Sequence, residues 1–297
     1  QTSAMGEKVR GRLVIIGGRE DTRGPCSVLR RVAELAGGEG GTLIILTTAS
    51  ARPREVGDLY RETFARLGVG RVDVLGVATR REAESRAAAR QLRGATGVFF
   101  TGGDQLRITS TLGGTRLDET LHDLYRSGVV IAGSSAGAAA MSDTMIVGGP
   151  DDDPPKKSTT RMAPGLGLLE EVVVDQHFAE RGRIGRLLGA IAQNPYVLGV
   201  GIDEDTAVVV SPDATFEVIG SHTVTVVDGR GISFTNATEQ EPDEPLALAD
   251  VCLHVLPAGY SFDLRRRRPA RSRWGSIPPS AAREDIDGLE APEGGPG

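Results

Sequence analysis

The chain has 297 residues, with 34 basic against 40 acidic side chains and a formal net charge of −6. At roughly 100–200 residues per domain that is one large domain or two small ones, and the acidic balance offers no surface for nucleic acid or anionic lipid. Forty glycines and only 4% aromatic residues fit a compact α/β chain with tight loops, while two cysteines, Cys26 and Cys252, without a C-x-x-C pair exclude a disulfide framework and a structural zinc knuckle.

No apolar run approaches the roughly 18 residues of a membrane span, and no secretory apolar core opens the chain. Gln1-Thr2-Ser3-Ala4-Met5 reads like a cloning remnant and leaves a removed leader open. The expectation is a soluble protein of a reducing compartment, the cytoplasm.

In chain order, Leu13-Val14-Ile15-Ile16 is an apolar strand ending in Gly17-Gly18. Residues 25–36 carry Val28, Leu29, Val32, Leu35 and Ala36 at helical spacing. Strands follow at Leu43–Leu46, Val72–Leu75, Gly97–Thr101 and Val129–Ala132, with a helix opened by Pro53 and a solvated helix over 80–92 between them. Apolar runs without alternation, separated by helices, predict a mainly parallel sheet covered on both faces. Beyond a loop at 150–160, expected to be mobile, come a strand at 171–175, a helix at 181–192 and short strands from 197 to 256. These read as an antiparallel C-terminal extension of the same sheet. The expectation is a single domain over 8–264, followed by a disordered tail over 265–297 that opens on an arginine run.

Chemistry concentrates at strand ends. Ile16-Gly17-Gly18-Arg19-Glu20 lacks G-x-G-x-x-G spacing and no Walker lysine follows, so it predicts a tight turn and not a nucleotide site. Thr101-Gly102-Gly103-Asp104-Gln105 ends another strand, where open α/β sheets bind ligands and paired glycines free N–H groups for an anion. The sharpest motif is Gly133-Ser134-Ser135-Ala136-Gly137, a G-x-S-x-G between a buried strand and small helix formers. That context predicts a nucleophile elbow with Ser135 at its apex, Ser134 facing elsewhere, and an N–H behind the serine ready for an oxyanion.

A serine nucleophile needs a base, and four histidines are available. His122 falls in an amphipathic helix. His222 and His254 lie in strands without polar company and read as structural. His177 ends an apolar strand in Asp175-Gln176-His177-Phe178, with Arg181, Arg183 and Arg186 following closely. For the carboxylate that orients the imidazole, Asp175 is one choice, two residues before His177 on the same strand face. Asp203 and Glu204, in Gly201-Ile202-Asp203-Glu204-Asp205-Thr206-Ala207, are the other candidates, and spacing leaves the two open. The order serine, histidine, acid disfavours a lipase or esterase of the α/β-hydrolase type.

Together, Thr101–Gln105, Gly133–Ala138, Asp175–Phe178 with Arg181, Arg183 and Arg186, and Gly201–Ala207 resemble the cyanophycinase family, from about residue 10 to 262. The family comprises serine peptidases related to aspartyl dipeptidase, with a fold like class I glutamine amidotransferases. The resemblance implies Ser135 as nucleophile, His177 as base and Glu204 as orienting acid. It implies an oxyanion site at the N–H of Ala136 and of Gly103 or Asp104. Substrate contacts are implied from Gln105, Asp175, Gln176, Arg181, Arg183 and Arg186, with at least one arginine clamping a carboxylate. The implied substrate is cyanophycin, a polyaspartate with arginine on each β-carboxyl, cleaved to β-Asp-Arg dipeptides, and the implied assembly is a homodimer. No cofactor is implied. With no H-E-x-x-H motif, paired cysteines or clustered histidines, no metal is expected either. The alternatives are an aspartyl dipeptidase acting on short acidic peptides and a non-catalytic binding relative.

Overall fold

The computed structural model describes residues 9–272 apart from 152 and 159. Its elements are β1 (Leu13–Ile16), α1 (Ser27–Leu35), β2 (Thr42–Leu46), α2 (Pro53–Arg66), β3 (Arg71–Leu75), α3 (Arg80–Ala83), α4 (Arg86–Arg93), β4 (Gly97–Phe100), α5 (Gln105–Leu112), α6 (Arg116–Ser127), β5 (Val130–Ser134) and α7 (Ala136–Ala139). They continue as β6 (Thr144–Gly148), β7 (Arg161–Pro164), β8 (Val172–Gln176), α8 (Ile184–Gln193), β9 (Leu198–Ile202), β10 (Thr206–Val210), β11 (Thr215–Gly220), β12 (Thr223–Asp228), β13 (Phe234–Thr235), β14 (Leu248–Ala249), β15 (Cys252–Pro257), β16 (Tyr260–Asp263) and β17 (Arg268–Ser272).

The central sheet runs β17-β16-β11-β10-β1-β5-β4-β2-β3. Its β1, β5, β4, β2 and β3 are mutually parallel, and β10, β11, β16 and β17 add antiparallel strands beside β1. Successive residues of a strand point to opposite faces. Leu13 and Ile15 therefore join one core with Phe100, Ile108 and Leu121, while Val14 and Ile16 join a second with Leu29, Val32, Phe64 and Phe99. All four β1 residues are fully buried. That two-sided burial is why the strand reads as an unbroken apolar run.

The second half departs from the expected single extension. Only β10, β11, β16 and β17 extend the central sheet. A separate sheet, β15-β12-β9-β8, holds four more, with β8 and β9 parallel, and β6-β7 and β13-β14 form two small antiparallel pairs. The helix α8 packs against this sheet through Leu187 and Ile191, beside Val173, Phe178 and Val227. The chain thus passes from the second sheet into the first between β9 and β10, over Asp203–Asp205.

The helix predicted over 80–92 is two. Thr79 and Glu82 close a reciprocal cap at the start of α3, and Ser85 Oγ accepts from the Ala87 and Ala88 N–H groups to start α4. The loop expected to be mobile is tied to a later segment, with Leu246 N–H donating to Pro155 O at 2.7 Å and Ser158 N–H to Pro242 O at 2.9 Å. The boundary expected at Leu264 falls inside a hairpin, because β17 pairs with β16. Between these strands Arg267 is buried, its guanidinium donating to Asp228 at 3.1 Å and lying 5.3 Å from the Tyr196 ring centroid. Residues 273–297 of the expected tail lie outside the described residues. No helix among the described residues is long and apolar enough to cross a membrane.

Candidate active site

The turn after β1 organises the site through its backbone. Ile16 O accepts from Ser135 N–H at 3.0 Å, Gly17 O from His177 N–H at 2.8 Å, and Gly18 O from Asp205 N–H at 2.9 Å. Three consecutive carbonyls at one strand's carboxyl end therefore hold three segments that the sequence separates widely. The sequence motif Gly17-Gly18 is more than the tight turn expected. Gly18 has φ +105, and a Cβ there would lie 2.4 Å from His177 Cε1, so the absence of a side chain makes room for the imidazole.

Ser135 sits between β5 and α7 with φ 52 and ψ −107, a conformation that costs a non-glycine residue free energy and that an elbow enforces. The glycines on either side permit close approach: a Cβ on Gly133 would meet Gly137 O at 2.5 Å, and one on Gly137 would meet Phe100 at 2.7 Å. Ser135 Oγ lies 2.9 Å from His177 Nε2, and His177 Nδ1 lies 2.7 Å from Glu204 Oε1. A carboxylate only accepts, so Nδ1 carries the proton and Nε2 accepts from the serine hydroxyl. Burial of the ring pulls the His177 pKa below its ordinary 6.5, outweighing the hydrogen bond to Glu204 that raises it, and the cation of Arg181 adds to the lowering. The imidazole is thus neutral and able to take a proton at pH 7.

The geometry separates the acids that spacing left open. Asp203 is buried and spent, its Oδ1 accepting from Ala179 N–H at 3.1 Å and its Oδ2 from Thr223 N–H at 3.1 Å and Thr223 Oγ at 2.8 Å. Glu204 faces the ring, and the exposed Arg19 stands 3.5 Å from the same Oε1. Of the other histidines, His122 Nε2 is engaged with Leu166 O at 2.8 Å and His254 rests against the Phe262 ring.

Ala136 opens α7 directly behind Ser135, and the Gly102-Gly103 turn approaches from β4, a Cβ on Gly102 standing 3.4 Å from Ser135 Cβ. Asp104 is corrected as a donor, since its N–H already donates to Ala49 O at 3.0 Å. Its carboxylate caps α5 by accepting from Leu106 N–H at 2.9 Å.

Residues 13–218 match the family model described as peptidase family S51. The chain belongs to peptidase family S51. This S51 peptidase is 39% identical over 266 residues to a protein named cyanophycinase from Geminocystis herdmanii, covering 89% of this chain and 98% of that one. It is 40% identical over 256 residues to another cyanophycinase from Trichormus variabilis, covering 86% of each. The resemblance carried by the sequence motifs is thereby borne out. A solved peptidase from an acI-B1 Actinobacterium shares the fold with a TM-score of 0.65 at 22% identity, over 87% of this chain and 98% of that one.

In this S51 peptidase the residues predicted to contact substrate divide in two. Arg181 is exposed beside His177, and Gln105, whose Nε2 donates to Ile146 O at 2.7 Å, is half-buried. Asp175, Arg183 and Arg186 instead turn inward. Asp175 has no exposed surface and receives both Nε (2.9 Å) and Nη2 of Arg186. Arg183 donates from Nε to Asp151 at 2.8 Å and from Nη1 to Gln176 O at 2.7 Å. Arg183 and Arg186 do share a face, as their spacing predicts, but it is the face toward Asp175, because a fully buried carboxylate needs cationic partners. Gln176 is buried beside them with its Oε1 unpartnered.

Sequence reasoning missed a buried chain of hydrogen bonds under the elbow. Ser134 Oγ donates to Glu20 Oε2 at 2.7 Å and Tyr60 OH to Glu20 Oε1 at 2.5 Å. Burial and the neighbouring Glu20 push the Tyr60 hydroxyl well above its ordinary pKa, so it stays a donor. The signal available was the acid two residues past Gly17-Gly18. Among the described residues no cluster of three or more His, Cys, Asp or Glu could hold a metal.

Proposed function

We propose that this chain is a cyanophycinase that cleaves the aspartate backbone of cyanophycin and releases β-Asp-Arg dipeptides. The observation that carries the chemistry is the hydrogen-bonded series from Ser135 through His177 to Glu204; the substrate is supported by the relatives' names at 39–40% identity over most of the chain. Ser135 Oγ attacks the scissile carbonyl carbon as its proton passes to His177 Nε2. That proton then goes to the departing backbone amine, leaving an acyl-serine. Water, deprotonated by the same imidazole, hydrolyses the ester and restores the serine. Glu204 keeps the ring in the tautomer with Nδ1–H and stabilises the imidazolium between the steps. The N–H groups of Ala136 and Gly103 receive the negative charge that develops on the carbonyl oxygen.

Arg181, exposed on the rim, pairs with a substrate carboxylate, and Gln105 hydrogen-bonds the substrate arm. Asp175, Arg183 and Arg186 form the wall that holds Gln176 and His177 in place. The likeness to class I glutamine amidotransferases, a homodimeric assembly and a cytoplasmic location complete the proposal; their support is the family resemblance alone.

The test is chromatography of products from cyanophycin and from α- and β-aspartyl dipeptides. Release of β-Asp-Arg from the polymer, lost by at least about 10³-fold in Ser135→Ala with an unchanged melting temperature, is the expected result. Turnover of dipeptides alone would replace the proposal with an aspartyl dipeptidase, and a fully active Ser135→Ala would remove the serine from the mechanism.

A further inference from the structure

A pocket of about 710 Å³ opens at the carboxyl ends of β2 and β3, lined by Thr47, Thr48, Ser50, Arg54, Glu82 and Arg107 among others. Its size is that of a site for a small ligand, and its place is where parallel sheets receive ligands. It adjoins the site already described through one short segment: Ala49, between Thr48 and Ser50, accepts from Asp104 N–H at 3.0 Å, and a Cβ on Gly103 would strike Ala49 O at 2.1 Å. The back of that segment braces the turn beside Ser135, and its flanking residues line the pocket.

The pocket's chemistry is that of an anion receptor. Arg54 makes no ion pair among the described residues, and Arg107 is held by a bond from Nη1 to Ser50 O at 3.2 Å that leaves its charge uncompensated. Glu82, the single acid among the lining residues, already accepts from Ala78 and Thr79 N–H groups at 2.7 and 3.1 Å as part of a helix cap. The 14-residue α2 starts at the pocket with no side chain capping its first turn. Thr48, 8% exposed, contributes a hydroxyl without a hydrogen-bond partner. Two guanidinium groups without an ion-pair partner among the described residues, uncapped helix N–H groups and an unspent hydroxyl together match a carboxylate.

We propose that this pocket is a second subsite, in which Arg54, Arg107 and Thr48 hold the carboxylate of an arginyl arm on a polymer repeat beyond the two that flank the scissile bond. The proposal rests on the cyanophycinase reading and adds to it a reason to prefer long chains over short ones. Every cyanophycin repeat carries a free arginyl carboxylate, so a chain bound across Ser135 presents one to the neighbouring strand ends. The subsite acts on binding and leaves the chemical step alone.

The experiment compares steady-state kinetics on cyanophycin and on a two-repeat substrate, (β-Asp-Arg)2, for the parent, Arg54→Gln, Arg107→Gln and Thr48→Val. Each arginine variant is expected to raise KM on the polymer by about fivefold or more, the scale of a lost charge-assisted hydrogen bond, with kcat within about twofold. The two-repeat substrate is expected to show no change beyond about twofold in either constant. Thr48→Val is expected to raise the melting temperature, because it removes a buried unpaired hydroxyl, and still to weaken polymer binding; a purely structural threonine would not do both. Unchanged polymer KM in both arginine variants overturns the subsite, as does an equal rise on both substrates. A parent that cleaves neither substrate overturns the cyanophycinase reading and the subsite with it, whereas an active parent with insensitive variants overturns the subsite alone.

Discussion

Replacing Gly18 with alanine adds one methyl group, yet the geometry makes it a catalytic lesion. The Cβ would stand 2.4 Å from His177 Cε1 and 2.5 Å from Nε2, where ordinary contact starts near 3.4 Å, so the ring must retreat by about 1 Å. Gly18 also has φ +105, which an L side chain adopts only with strain of about 1–3 kcal/mol. Against a typical stability of about 5–15 kcal/mol the fold survives. The ring has nowhere neutral to go, because it is bonded at 2.9 Å to Ser135 and 2.7 Å to Glu204. A misplacement of about 1 Å in reacting groups costs on the order of 100-fold, or about 2.7 kcal/mol of barrier. The expected result is a kcat on cyanophycin reduced about 100-fold with KM little changed, and a modest fall in melting temperature. Steady-state kinetics beside a thermal melt check it. A folded Gly18→Ala enzyme with kcat within about threefold of the parent would refute the idea that the glycine exists to seat the imidazole.

Further outcomes follow from charge at the site. Arg186→Ala takes both guanidinium hydrogen bonds from the fully buried Asp175 carboxylate, leaving it Arg183 at 3.5 Å, and is expected to cost about 3–5 kcal/mol of stability; chemical denaturation measures this, and a stability unchanged from the parent would refute the buried pairing. The acid limb of the kcat/KM profile is expected below pH 6.5, because the base must be neutral and burial lowers the His177 pKa. Arg181→Gln removes a cation that favours the neutral ring, so the limb moves to higher pH, whereas Glu204→Gln removes a partner that favours the charged ring, so the limb moves lower; pH profiles of both variants showing the same direction would refute the assignment.

Much of the fold was legible because the parallel strands are buried on both faces and announce themselves as apolar runs. The elbow was legible because Gly133-Ser134-Ser135-Ala136-Gly137 has to be small wherever strand and helix nearly touch. The partition of the later strands between two sheets was not, since the apolar pattern of β9 or β12 says that a face is buried and not against which sheet. The inward turn of Arg183 and Arg186 was hidden for a related reason: three arginines near a histidine look like a binding surface until the one buried carboxylate among them, Asp175, is located. Glu204 and Asp203 are adjacent acids whose spacing is equivalent, and the hydrogen bonds of Thr223 and Ala179 to Asp203 and of His177 to Glu204 tell them apart. The split at Ser85 could have been seen, because Thr79 and Glu82 have capping-box spacing and Ser85 is itself a good N-cap.

The division into two sheets has a consequence for when the enzyme becomes active during its own folding. Ser135 follows a strand of the first sheet, whereas His177 and Glu204 follow strands of the second. A chain that has built only its parallel sheet holds a serine hydroxyl with no base beside it, no more reactive than any surface serine. Proteolytic power therefore requires the docking of the second sheet onto the Ile16-Gly17-Gly18 carbonyls. Regained peptidase activity in a refolding experiment is expected to report the meeting of the sheets, where circular dichroism would report the formation of each.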